Sequence, residues 1–228
     1  MSTIADNIAQ VVSRIRAAEQ AAQRAEHSVQ LLAVSKTKPA QALREAYAAG
    51  LRDFGENYLQ EALGKQAELT DLPLIWHFIG PIQSNKTRAI AEHFAWVHSV
   101  DRLKIAQRLS EQRPAELPPL NICIQVNVSG EASKSGCTPT DLPALADAIS
   151  ALPRLRLRGL MAIPEPTEDR TAQDTAFATV QRLQASLDLP LDTLSMGMSH
   201  DLESAIAQGA TWVRIGTALF GARDYGTR

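Results

Sequence analysis

The feature that most restricts the fold is an alternation repeated along nearly the whole chain. Eight short apolar runs are separated by stretches of helical periodicity, at a spacing of about 25 residues. The runs cover 31–34, 53–55, 74–79, 95–100, 121–128, 157–163, 191–196 and 212–215. Strands divided by helices pair in parallel through right-handed crossovers. Eight such units without a break in composition predict a closed α/β barrel, a (β/α)8 fold of the TIM type, in one domain spanning residues 1–228. An open doubly wound sheet has the same alternation, but no Gly-rich dinucleotide loop follows the first run.

The intervening helices are expected from Pro39 to Gly50 and over Glu56–Leu69, Ser84–Ala91, Asp101–Arg113, Asp141–Ala151 and Ser199–Gln208. Another ends near Leu187, and a short one opens at Gly216. An extra helix stands before the first run. Ile4, Ile8, Val11, Val12 and Ile15 form one apolar stripe, so it is expected to pack outside the repeat.

Composition excludes several classes. A net charge of −2 argues against a dedicated nucleic-acid binder. No apolar run approaches the ~20 residues that cross a bilayer, and the start carries Asp6 with no apolar core, so neither membrane span nor signal peptide is expected. The two cysteines, Cys123 and Cys137, lack a CxxC spacing. They predict free thiols, no metal site and a reducing cytoplasm. A hydrophobic share of 45% supplies a sizeable core.

In such a barrel the chemistry lies at the C-terminal ends of the strands. Lys36 follows LLAVS directly. A lysine leaving an apolar strand is partly desolvated, which favours the neutral amine that attacks aldehydes. For one lysine alone, a solvated strand cap is the commoner fate, and Lys38 fits that description better. Two loops near the chain's end suit a phosphate. They are Met198-Ser199-His200, where Ser199 is a candidate helix cap, and Gly216-Thr217, which opens the last helix. Asp201 and Glu203 would repel an anion if they faced it, so they are expected to turn away. Arg214 lies between Val213 and Ile215. It either faces a ligand or carboxylate inside the barrel or marks an exposed strand end. His77 is either a pocket residue or a satisfied core histidine.

These segments together resemble a known family. LLAVSKTKP, FGENYLQEA, WHFIGPIQSNK, QVNVSGEASKSG, LRGLMAIPEP, LSMGMSHDLESAI and VRIGTALFG are similar, in order, to the pyridoxal phosphate homeostasis proteins. Those are single-domain relatives of the N-terminal barrel of alanine racemases. The resemblance implies that pyridoxal 5′-phosphate is the cofactor, held as an imine on Lys36. It implies that Ser199, Gly216 and Thr217 bind the phosphate and that Arg214 meets the pyridine nitrogen. Asn57, His77 and Met161 would line the pocket, and Lys134 would influence cofactor exchange. The expected role is storage, buffering or delivery of the cofactor without established turnover. The expected state is a cytoplasmic monomer whose partners are apo-enzymes. The rivals are an amino-acid racemase, which needs a second acid–base group from a further domain, and a Schiff-base aldolase.

Overall fold

The computed structural model describes residues 2–130 and 135–221. Eight strands close in sequence order, β1 (Gln30–Val34), β2 (Asp53–Glu56), β3 (Ile75–Phe78), β4 (Trp96–Val100), β5 (Leu120–Gln125), β6 (Leu155–Met161), β7 (Thr193–Ser195) and β8 (Trp212–Ile215). Every adjacent pair is parallel, and β1 closes on β8 with Ala33 opposite Ile215. The predicted barrel is therefore the observed one.

Helix α1 (Ile4–Ala21) precedes the barrel. Thr3 and Asp6 cap it reciprocally, each side chain accepting the other's backbone N–H, at 3.1 and 2.9 Å. Its buried stripe, Ile8, Val11 and Ile15, faces the helices that follow β7 and β8. Around the barrel run α2 (Ala40–Ala48), α3 (Leu59–Glu68), α4 (Thr87–His93), α5 (Leu103–Gln112), α6 (Leu142–Ser150), α7 (Arg170–Ala185), α8 (Leu202–Ala207) and the single turn α9 (Thr217–Phe220).

Several boundaries differ from the pattern. Glu56 ends β2 instead of opening α3, because its carboxylate is held inside by neighbours described below. A 3-10 turn over Ser84–Lys86 precedes α4. β5 stops at Gln125; Val126 N–H still donates to Met161 of β6, and Val126 also forms an isolated bridge with Cys137. α8 begins at Leu202, not Ser199, because Asp201 folds the preceding loop back on itself.

The core has two parts. Leu43, Ile90, Leu109, Ile149 and Phe177 fill the layer between helices and sheet. Inside the barrel, Trp96, Cys123 and Met161 pack together, with His77 stacked on Trp96 at 5.5 Å between ring centroids. Burial pushes the Cys123 thiol up to about 12 and the Cys137 thiol up to about 11, and both cysteines are free. Among the described residues no helix is long and apolar enough to cross a membrane.

Candidate functional site

At the C-terminal end of the barrel, Lys36, Asn57, Ser199, Arg214, Gly216 and Thr217 line one cavity of about 240 Å³. Val34, Ile79, Ile163 and Met198 supply its apolar wall. This is the size for a ligand somewhat smaller than the drug-sized molecules of ~300–1,000 Å³ pockets. A cavity of about 410 Å³ between Val128 and Ala176 has no cationic side chain among its described residues.

Lys36 is placed by a frame that grips both of its neighbours. The Ser35 hydroxyl donates to Glu56 Oε1 at 2.5 Å, and the Ser35 carbonyl accepts from Lys65 Nζ at 2.7 Å. Thr37 N–H donates to Glu61 Oε1 at 2.5 Å, and Lys65 Nζ joins Glu61 to Glu56 at 2.6 and 2.8 Å. Thr37 has a φ of 64°, an unfavourable conformation for a β-branched residue. The strain sits directly beside the lysine. Burial pushes the Glu56 carboxyl up, against the opposing pull of Lys65 and then Ser35. Pattern reading missed this frame, because it set Glu56 in a helix and Lys65 reads as an ordinary helix-surface charge.

Asn57 is held by the chain that crosses it. A Cβ on Gly80 would run into the Asn57 carbonyl, so only glycine permits this approach. Asn57 Oδ1 is buried and has no hydrogen-bond partner among the described residues.

Gly197, with a φ of 98°, turns the chain out of β7, and a Cβ there would lie 2.6 Å from that of Ala205. Asp201 Oδ1 accepts the Met198 N–H at 2.6 Å. Glu203 accepts from Arg14 Nε and Nη2 at 2.9 and 3.0 Å, and Arg14 Nη2 also reaches the Ser199 carbonyl at 3.1 Å. Neither acidic residue is among those that line the cavity, although Asp201 braces the backbone of Met198, which does. Ser199 does not cap α8, whose N-cap position is Asp201. His200 also lines the cavity, a titratable neighbour that the loop pattern included without a role.

Arg214 is buried inside the barrel, which excludes an exposed strand end. Its guanidinium donates to the Ser195 carbonyl at 2.6 Å, the Ser195 hydroxyl at 2.9 Å and the Ala162 carbonyl at 3.0 Å. Burial pushes its pKa down to about 10, which leaves it cationic at neutral pH.

Two expected pocket residues lie elsewhere. His77 and Met161 are fully buried in the barrel interior and do not line the cavity. Inward orientation was readable from strand alternation, but depth along the barrel was not. Lys134 lies outside the described residues.

A barrel with an amine, a guanidinium and a hydroxyl-glycine cradle around one cavity matches a family described as alanine racemase, N-terminal domain, over residues 7–224. A pyridoxal phosphate homeostasis protein of Pseudomonas aeruginosa is 79% identical over 226 residues, with 99% of this chain and 98% of that one covered. The protein of the same name from Escherichia coli is 55% identical, with 99% of each chain covered. PipY of Synechococcus elongatus, solved without and with PLP bound, superposes with TM-scores of 0.87 and 0.85 at 44% identity, covering 96% of this chain and 100% of that one. Alanine racemase of Corynebacterium glutamicum shares the fold at 17% identity and a TM-score of 0.67, with 96% of this chain and 62% of that one covered. The chain belongs to the family of pyridoxal phosphate homeostasis proteins.

Proposed function

We propose that this chain binds pyridoxal 5′-phosphate at the cavity around Lys36 and serves homeostasis of that cofactor by storing, buffering or delivering it. The carrying observation is that the amine of Lys36, the guanidinium of Arg214 and the Ser199 and Gly216-Thr217 loops line one small cavity. The donor set fits the group. The bound cofactor supplies an aldehyde that a primary amine captures reversibly and a phosphate that hydroxyls and backbone N–H groups hold. Asn57 Oδ1, buried and unpartnered among the described residues, provides a polar atom for a ligand to satisfy.

Each residue has a separable task. Lys36 is the covalent anchor. Ser199 and Thr217 hold the anion with hydroxyls, and Gly216 lets their loop lie close against Val34, whose carbonyl a Cβ there would approach to 3.2 Å. Arg214 presents a fixed cation that only donates and cannot accept a hydrogen bond from a protonated ring nitrogen. It therefore favours an unprotonated ring nitrogen, which makes a weaker electron sink than one paired with a carboxylate. That property supports a carrier with no efficient turnover over a racemase. On this reading the protein acts in the cytoplasm as a monomer, and its partners are apo-enzymes that take up the cofactor.

The test has three arms. Titration of the purified protein with pyridoxal phosphate should produce a saturable visible band. The loaded protein in deuterium oxide with L- or D-alanine should show no inversion near 1 s⁻¹, an ordinary enzymatic rate of order ~1 s⁻¹ or faster. Inversion at that rate makes the protein a racemase. Transfer to an apo-enzyme faster than from free cofactor supports delivery, and no gain leaves storage or buffering.

A further inference from the structure

Five side chains cross the barrel interior in one hydrogen-bonded line. Asp53, the first residue of β2, is partly exposed at the end of the barrel opposite the cavity. Its Oδ1 lies 2.9 Å from His77 Nε2. His77 Nδ1 lies 2.9 Å from His98 Nε2, and His98 Nδ1 lies 2.7 Å from Ser195 Oγ. Ser195 Oγ in turn accepts from Arg214 Nη1 at 2.9 Å, and Arg214 lines the cavity.

The chemistry of the two ends fixes the direction of every link. A guanidinium only donates, and a carboxylate only accepts. Ser195 Oγ accepts from Arg214 and keeps its one hydrogen for His98 Nδ1, which bears none when both histidines are neutral and His77 donates to Asp53. A neutral His98 then carries its proton on Nε2 and gives it to His77 Nδ1. A neutral His77 likewise carries its proton on Nε2 and gives it to Asp53. The reverse polarity would require a second proton on His77, and burial pushes the pKa of both histidines down, that of His98 well down. It would also deprive the Ser195 hydroxyl of its acceptor in the line.

The line answers a problem in the site. Arg214 is a buried cation whose guanidinium donates to two carbonyls and a hydroxyl and, among the described residues, to no carboxylate, and the charge of Asp201 opposes its burial only from a distance. Buried charges are costly unless compensated. Aligned hydrogen bonds polarise one another and carry the influence of a distant anion.

We infer that Asp53 is a positioning residue for the cofactor cavity, acting through His77, His98 and Ser195 to hold the orientation and charge of Arg214. This rests on the proposed function only for what Arg214 meets. The first measurement needs no cofactor. In the ¹⁵N-histidine NMR spectrum of the free protein at pH 7, His77 and His98 should both be neutral, with the proton on Nε2. A doubly protonated His77, or His98 protonated on Nδ1, overturns the direction.

The second measurement uses the loaded protein. In Asp53→Asn and Ser195→Ala, borohydride reduction should still fix the cofactor on Lys36, while the visible band before reduction moves and affinity falls about tenfold or less. A merely structural role would leave the band where it is, and an unmoved band in folded Asp53→Asn overturns the inference. If the wild-type protein takes up no cofactor, the functional proposal fails, and the tautomer result still decides the line itself.

Discussion

Lys65 Nζ lies 2.8 Å from Glu56 Oε1, and both side chains are buried beside the end of β1. Removing the cation alone leaves a buried carboxylate unpaired. Lys65→Met should therefore cost about 3–5 kcal/mol of stability. The double variant Glu56→Gln/Lys65→Met should recover much of that loss. Urea unfolding of the two variants measures both values, and a loss below about 1 kcal/mol in Lys65→Met, the size of a surface pair, contradicts the assignment.

The same carboxylate gives a pH dependence with a definite sign. Burial raises the Glu56 pKa above its ordinary value of 4.5. Between 4.5 and the raised value the folded chain holds more protons at this group than the unfolded chain does. Its contribution to stability is present in full below 4.5, falls as pH rises through the folded value, and is flat above it. Glu56→Gln should lack this decline. Urea midpoints of both proteins across the acid range should converge or diverge accordingly, and parallel curves would show that Glu56 does not titrate differently in the two states.

The phosphate should dominate affinity. Hydrogen bonds to a charged partner contribute about 1.5–3 kcal/mol, so Ser199→Ala or Thr217→Val should weaken binding by about tenfold or more. Pyridoxal without phosphate should bind far more weakly to the wild-type protein and nearly alike to all three. Absorbance titrations decide this, and equal affinity for the two ligands would place the anion elsewhere.

Met161 should behave as core. It packs against Trp96 and Cys123 inside the barrel. Met161→Ala should lose about 2–5 kcal/mol in urea unfolding. Its cofactor stoichiometry at saturation should stay that of the wild type. A variant of native stability that fails to bind would return Met161 to the pocket.

How much could be read beforehand follows from what local pattern encodes. Alternating apolar runs and helical stripes are local, and so the barrel and its eight strands were legible. Lys36, Asn57, Ser199, Gly216 and Thr217 follow directly after strands, and a barrel topology sends such positions to one rim. His77 and Met161 sit within strands, where alternation tells inside from outside but not which inward layer reaches the cavity. The Glu56–Lys65 frame and the line from Asp53 to Arg214 join residues brought together only by closure of the sheet. No spacing in the chain announces them. Ser199 suits a helix cap by its place before the helical stretch, but the cap position falls to Asp201, whose side chain reaches back to Met198.

The most direct test is to reduce the loaded protein with borohydride, digest it and map the modified peptide by mass. The pyridoxyl group should lie on Lys36, and Lys36→Ala should lose the visible band while its circular dichroism spectrum stays native. A pyridoxyl group found mainly on Lys38 or Lys134, or an unchanged band in Lys36→Ala, would contradict the proposed site.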